Sequence, residues 1–383
     1  MHVTNDIRYI GVDDHQIDLF EGLYPVPDGI SYNSYVILDE KIAVMDAVDT
    51  HFGAAWLDSL RAVLDGRTPD YLIVHHMEPD HSASIALFMD AYPEAVIVAS
   101  AKAFPMMKAF FGNEYAERRM IVKEGDVLSL GRHRLSFIAA PMVHWPEVIM
   151  TYDQLDQVLF SADGFGKFGA LDTEDEWACE ARRYYFGIVG KYGAQVQSVL
   201  KKTSALELRA ICPLHGPVLK EEQLTEALRL YDLWSSYQPE SKGVLIAHAS
   251  VYGNTRAAAE ELARLLEEKG EKVVLQDLNR CDIAEAVEDA FRYDRVVLAA
   301  ATYNADVFPP MRQFITWLTE RGYRNRTIGL IENGSWAPMA AKVMNGLLQS
   351  CKDITLLEPV VTVRSALNDE SRQALAALAE ALL

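Results

Sequence analysis

Four apolar stretches of the chain each run into residues that bind metal ions. Tyr71-Leu72-Ile73-Val74 is followed by His76-Met77-Glu78-Pro79-Asp80-His81, Leu135-Ser136-Phe137-Ile138 leads to His144, Val158-Leu159-Phe160 to Asp163, and Leu208-Arg209-Ala210-Ile211 to His215. These imidazoles and carboxylates suffice for a two-metal site, in which ions roughly 3.5–4 Å apart can both touch one small ligand. A lone histidine at a strand end is usually structural, and His2, His15, His51, His75, His133 and His248 are read that way. The run from His76 to His81 differs because ligand residues crowd one loop. In an extended backbone His76, Glu78 and Asp80 would share one side, with His81 facing another way. The carboxylates Glu78, Asp80 and Asp163 add hard oxygen donors and negative charge to the imidazoles, which suits oxidised iron better than a histidine-rich zinc pocket. Affinity order alone does not exclude zinc or manganese.

A second constellation lies in the C-terminal part. Ser250-Val251-Tyr252-Gly253-Asn254-Thr255 sits between a strand-like run and a helix-like one. Free N–H groups and the helix dipole at such a turn favour an anion. The loop is not Gly-x-Gly-x-x-Gly and lacks the lysine of a triphosphate loop, so neither a dinucleotide nor a nucleoside triphosphate is the expected guest. Ala301-Thr302-Tyr303-Asn304-Ala305-Asp306 and Glu332-Asn333-Gly334-Ser335-Trp336-Ala337 follow two later strands. Ligands of open parallel sheets bind at those carboxyl ends. Tyr303 and Trp336 are placed to flank a flat ring, and Gly334 lets backbone approach it.

Two kinds of scaffold must carry these groups. Up to a polar join at Tyr237–Gly243, short strands mix with helices: Tyr35–Leu38 and Ile42–Met45 read as a hairpin around Asp39-Glu40-Lys41, Val96–Val98 as a buried strand, and Trp177–Lys202 as one helix. Beyond the join, strands and helices alternate: Val244–Ala247, Lys272–Leu275, Val296–Ala299, Thr327–Ile331 and Pro359–Val363 are the strands, and Thr255–Lys269, Met311–Arg321, a segment from about Pro338 and one from Asp369 are the helices. That rhythm predicts an α/β, doubly wound parallel sheet. The expected domains are 1–240 and 243–383.

With 383 residues, half of them hydrophobic, two cores can be built, and a net charge of −19 argues against nucleic acid as a partner. No apolar run approaches the roughly 18 residues of a membrane span, and the first residues lack the pattern of a signal peptide. Cys179, Cys212, Cys281 and Cys351 are scattered without a Cys-x-x-Cys pair, as expected of free thiols in a reducing cytoplasm.

The run His76-x-Glu78-x-Asp80-His81 resembles the His-x-His-x-Asp-His signature of the metallo-β-lactamase superfamily, with Glu78 in place of the second histidine. With that variant and the flavodoxin-like half behind it, the whole chain resembles a flavodiiron protein (A-type flavoprotein). The resemblance implies a metallo-β-lactamase-like αββα sandwich followed by a flavodoxin-like domain. It implies one iron on His76, Glu78 and His144, a second on Asp80, His81 and His215, and Asp163 between them. The loops at 250–255, 301–306 and 332–337 would hold FMN, although flavodoxins often have Thr where Tyr252 stands. The expected activity is reduction of O2 to water and/or NO to N2O, in a head-to-tail homodimer or homotetramer fed by rubredoxin or a similar donor. The same ligands serve both gases, so they do not choose between them. Related proteins carry a tyrosine that hydrogen-bonds the bound gas, and Tyr184 and Tyr185 are the candidates. Trp145 is read as a core aromatic or as a neighbour of the electron donor. A zinc hydrolase with a fused electron-carrier domain, and a flavin-binding or gas-sensing module without turnover, are the competing readings.

Overall fold

The computed structural model describes residues 2–174 and 176–383. The chain divides into two compact units, Met1–Asp232 and Leu233–Leu383. The division falls inside the helix Glu221–Ser235, ahead of the polar stretch Tyr237–Gly243. Pro and Gly mark where that helix can no longer continue, whereas the packing changes partners a little earlier.

The first unit holds two six-stranded sheets. One contains β1 (Ile7–Tyr9), β2 (Tyr35–Leu38), β3 (Ile42–Met45), β4 (Tyr71–Val74), β5 (Val96–Ser100) and β6 (Arg119–Val122), side by side in that order. The other contains β7 (Val127–Ser129), β8 (Arg134–Ala139), β9 (Ile149–Asp153), β10 (Val158–Phe160), β11 (Ala210–Cys212) and β12 (Leu219–Lys220). The β2–β3 pair is the expected hairpin, with Leu38 opposite Ile42. Strands β3, β4 and β10 are buried at every position, as parallel or central strands covered on both faces must be. Ile37, Met45, Ile73, Val98, Phe137, Ile149 and Phe160 from the two sheets meet in one core.

Helices of this unit are α1 (Gly53–Leu64), α2 (Pro79–Ser82), α3 (Ile85–Ala91), α4 (Ala103–Phe111), α5 (Trp177–Tyr184), α6 (Gly193–Thr203) and α7 (Glu221–Ser235). The single helix expected over Trp177–Lys202 is broken. Between α5 and α6 the backbone widens into a π turn at Tyr185–Val189 and tightens into a 3-10 turn at Gly190–Tyr192. Glycines 187, 190 and 193 cost the segment helix propensity, and a Cβ at Gly187 would stand 3.0 Å from the Tyr24 ring. The periodicity was right on each side of the break, and the close approach to Tyr24 decided the middle.

The second unit is a seven-stranded sheet. Its parallel strands are β13 (Ser241–Ala249), β14 (Val273–Asp277), β15 (Tyr293–Tyr303), β16 (Arg324–Asn333), β17 (Lys352–Leu356) and β18 (Val361–Val363), and the order is β14-β13-β15-β16, with β17 and β18 pairing successive parts of β16. Residues 306–307 fold back antiparallel on β15. Strand β17 was not foreseen, because Lys352-Asp353-Ile354-Thr355-Leu356 is a largely exposed edge with no apolar run. Helices α8 (Asn254–Glu267) and α12 (Asp369–Ala381) pack on one face, and α9 (Ile283–Arg292), α10 (Pro309–Glu320) and α11 (Ala340–Leu348) on the other. On α8 the residues Ala258, Ala259, Leu262, Ala263 and Leu266 recur at three- and four-residue spacing and are the buried ones. The topology is doubly wound, and its switch point lies between β13 and β15, which leave in opposite directions across the sheet.

Candidate functional site

In the first unit, strands β4, β8, β10 and β11 all end at one pole, and the loops that follow them converge there. Beyond β4, His75 is pinned at both ends: its backbone N–H donates to Asp46 Oδ1 at 2.7 Å, its Nδ1 meets Asp46 Oδ2, and its Nε2 meets Thr151 Oγ1 at 2.8 Å. It is a buried strut, consistent with the structural reading given to it. Pro79 then starts the helical turn α2, where a fixed φ is already suited to a helix. That turn overturns the expected alternation: Asp80 leaves the side of His76 and Glu78 and joins His81.

Asp163 lies in a tight turn where Ala162 and Phe165 adopt φ of 50° and 67°, a left-handed conformation that costs a non-glycine residue about 1 kcal/mol or more. The turn is held by Ser161 Oγ donating to Gly164 O at 2.6 Å and by Leu214 N–H donating to Ala162 O at 2.9 Å. The His215 loop is clamped by the segment that leads into β2: Asn33 Nδ2 donates to Pro213 O and Gly216 O at 2.8 and 2.7 Å, and Ser31 Oγ accepts from Gly216 N at 2.8 Å.

Two ligand groups result. In the first, His76 Nε2, His144 Nε2 and Glu78 Oε2 lie 3.0–3.3 Å from one another, and Asp163 Oδ2 lies 3.2 Å from His76 Nε2 and 3.1 Å from His144 Nε2. In the second, His81 Nε2, His215 Nε2 and Asp80 Oδ2 are 3.0–3.3 Å apart, and Asp163 Oδ1 lies 3.3 Å from His81 and 3.8 Å from His215. Asp163 therefore turns one oxygen to each group. Metal–ligand bonds of about 2.0–2.2 Å put neighbouring donors of one coordination sphere about 3 Å apart, the spacing seen in both groups.

A hydrogen-bond network does not account for this arrangement. Both oxygens of Asp80 and both of Asp163 are buried without a hydrogen-bond partner among the described residues. Pairs of Nε2 atoms face one another, and one N–H at most could serve each pair. Burial would lower the imidazoles of His76, His144 and His81, but the carboxylates beside them raise all three, His144 to about 9. Burial acts the other way on Glu78 and Asp163, and the imidazoles still hold both carboxyls well below the usual carboxylate range. The pocket is built for positive charge at its two centres, and the donor set fits a pair of iron ions. Buried carboxylates are otherwise costly.

The surroundings add residues that no motif announced. Glu147 Oε1 accepts from His76 Nδ1 at 2.8 Å and from Met77 N–H at 2.9 Å. His215 Nδ1 donates to Ser31 O at 2.7 Å. Phe20 stands edge-on to His215 at 5.3 Å, and Trp145 edge-on to His76 at 5.1 Å. Of the two candidate tyrosines, Tyr184 packs on His215 at 5.5 Å, whereas Tyr185 packs on Tyr231. Burial, then the charges of Asp163, Glu78 and Asp80, push the Tyr184 hydroxyl far above its usual range, so it keeps its proton. Glu21 is exposed as a residue but brings its carboxyl to Glu78, and local desolvation followed by that like charge pushes it up to about 7.

In the second unit a cavity of about 520 Å³ opens at the carboxyl ends of β13, β15 and β16. It is lined by Ser250, Val251, Tyr252, Asn254 and Thr255, by Ala301–Ala305, and by Asn333–Ala337. Gly253, at φ 91°, is the N-cap of α8 and offers no side chain to its first-turn N–H groups, which leaves them for an anion. Three expected residues do not line the cavity. Gly253 only turns the chain, Asp306 pairs with Arg312, and Glu332 is held by Ala341 N–H and Thr362 Oγ1 at 3.0 and 2.9 Å. Two residues were missed: Met339 and Ser365. Ser365 Oγ lies 2.7 Å from Ser335 Oγ and its N–H donates to Asn333 Oδ1 at 3.2 Å, closing the cavity from a loop distant in sequence. Tyr252 and Trp336 are 93% and 89% exposed, so they stand at the rim with no protein packed over them in this unit. The uncapped helix end, the hydroxyls and the rim aromatics fit FMN, whose phosphate would meet α8 and whose ring would lie by Tyr303 and Trp336.

Comparison with known proteins agrees with both halves. The model of the ODP family beta lactamase matches residues 30–216, and that of the flavodoxin domain matches residues 245–360. The anaerobic nitric oxide reductase flavorubredoxin of Salmonella arizonae is 29% identical over 360 residues, covering 91% of this chain and 74% of the relative. Rubredoxin oxygen:oxidoreductase from Desulfovibrio gigas superposes with a TM-score of 0.91 at 24% identity, covering 100% of this chain and 97% of that one. The flavodiiron protein from Giardia intestinalis gives the same TM-score and identity, covering 99% and 96%. The chain thus carries an ODP-family beta lactamase domain followed by a flavodoxin domain, and over nearly its whole length it has the fold of the flavodiiron protein from Giardia intestinalis.

Proposed function

We propose that the protein reduces O2 to water and/or NO to N2O. In this reading one iron is held by His76, Glu78 and His144, the other by Asp80, His81 and His215, and Asp163 joins them. The observation that carries it is the division of Asp163 between the ligand groups, Oδ2 to His76 and His144 and Oδ1 to His81 and His215. When bound, FMN and the iron pair supply electrons, four to turn O2 into two waters or two to turn two NO into N2O and water.

The chain's own residues do the rest. Phe20 and Trp145 pack against the ligand rings and keep bulk water from them. Tyr184 holds its proton at Oη and would donate a hydrogen bond to the substrate. The first-turn N–H groups of α8, with Ser250 and Thr255, would take the FMN phosphate. Residues 1–240 would form the diiron domain and 243–383 the FMN domain.

A rubredoxin-type donor is supported by two similar proteins, the flavorubredoxin of Salmonella arizonae and the rubredoxin oxygen:oxidoreductase of Desulfovibrio gigas. The bare rim at Tyr252 and Trp336 supports a partner surface over the flavin cavity, which a head-to-tail dimer would provide. Absence of disulfides among the described residues supports a reducing compartment such as the cytoplasm. Among the described residues no helix is long and apolar enough to cross a membrane. Glu78 in place of a histidine, together with the flavin-shaped cavity, weighs against the zinc hydrolase. Consumption of O2 and NO, followed with reduced rubredoxin as donor, tests the reading. Turnover of at least one gas is expected, and no turnover of either by iron-loaded, FMN-loaded protein would overturn it.

A further inference from the structure

The two metal positions differ in what stands behind their histidines. Glu147 is 2% exposed, and its Oε1 accepts both from His76 Nδ1 and from the Met77 N–H next to it. Its other oxygen, Oε2, is buried with no partner among the described residues. Among the described residues no buried lysine or arginine pairs with this carboxylate, so its charge is directed through the His76 ring. In the second group, His215 Nδ1 meets only the neutral carbonyl of Ser31, and His81 Nδ1 is buried with no hydrogen-bond partner. A carboxylate behind a ligating imidazole fixes its tautomer and orientation and raises its basicity, whereas a carbonyl does so less.

We propose that Glu147 is a positioning residue that, through His76, makes the His76/Glu78/His144 position the tighter of the two metal positions. Metal therefore loads in order, first there and then at Asp80/His81/His215. This rests on the two-metal reading above and adds an inequality that the ligand set alone does not contain. The Met77 contact matters as well, because one oxygen holds both the ring and the backbone from which Glu78 follows.

The experiment is anaerobic titration of chelator-stripped protein with Fe2+, and separately with Zn2+ as a redox-silent probe, with FMN content measured throughout. The native protein is expected to bind two equivalents in two resolved steps. Glu147→Gln keeps an acceptor oxygen and removes the charge. It should weaken the first step by roughly 10–100-fold and leave the second and the FMN content unchanged. Asp80→Asn should weaken the second step alone. Loss confined to the second step in Glu147→Gln, or an unchanged isotherm, would overturn the proposal while leaving the two-metal reading intact. Native protein that takes up no metal would remove that reading itself. A second measurement needs no variant: one equivalent of Co2+ followed by one of Zn2+ should give a Co2+ spectrum different from that of the reverse order. Identical spectra would contradict ordered loading.

Discussion

Replacing Asp163 by Asn tests the bridging geometry at its centre. The amide is nearly isosteric, but one of its two arms becomes an N–H donor with no lone pair for a metal ion. Asp163 is 1% exposed and its oxygens lie 3.1–3.8 Å from four ligand nitrogens, so solvent cannot replace the lost charge cheaply. A unit charge about 4 Å from a cation, at an effective dielectric of about 20, is worth about 4 kcal/mol. Losing about 3 kcal/mol of that corresponds to roughly a hundredfold in the dissociation constant, since about 1.4 kcal/mol is tenfold. The loss should fall on both metals, because Asp163 faces both groups. Metal titration of the stripped variant, with FMN content as the control for the second unit, reads this directly. Retention of two tightly bound metals by Asp163→Asn would refute the reasoning. So would loss of one metal with the other at native affinity.

Thr255→Ala removes a hydroxyl from the FMN cavity and should weaken FMN by roughly 3–10-fold, about 1 kcal/mol, with iron content unchanged; equilibrium dialysis against FMN checks it. Gly334→Ala should disturb the same cavity by a different route, since its Cβ would stand 2.8 Å from the Pro338 backbone; FMN affinity and thermal stability should both fall, and a neutral result would show that the loop yields. His133 is buried between Asp153 and Asp6, at 2.9 and 3.3 Å, with Asp39 on its N–H, Asp156 nearby and Arg132 on Asp6. Burial opposes its charge, but these carboxylates raise its pKa above the usual value. Its contribution to stability is thus full below about pH 6.5 and is lost as pH rises through the raised value. Asp153→Asn should flatten that part of the melting temperature against pH, and an unchanged profile would count against it.

Much of this was legible because four strands each end in ligand residues, and strand ends are where a sheet gathers distant positions. The His76–His81 run carried the ligand identities, but not the turn of chain at Pro79 that sends Asp80 to the second group. Glu147 was hidden for another reason. It follows His144 by three residues in a loop, where a glutamate reads as surface, and only the burial of its carboxyl shows its role. Tyr184 and Tyr185 are neighbours in sequence, but successive positions of a helix face about 100° apart, so Tyr184 meets His215 and Tyr185 meets Tyr231. In the flavin half the strand–helix rhythm located the three loops. Glu332 and Asp306 looked equally available there, yet each is taken by a nearby donor. Ser365 reaches the cavity only because β18 pairs with the end of β16, a register that its own loop does not encode.

Metal and flavin analysis of protein purified without added metal, joined to Mössbauer spectroscopy of the iron, bears most directly on the central claim. The account predicts about two irons and one FMN per chain, with the irons magnetically coupled as a carboxylate-linked pair. Two zinc ions without iron, or two irons that behave as isolated centres, would contradict it.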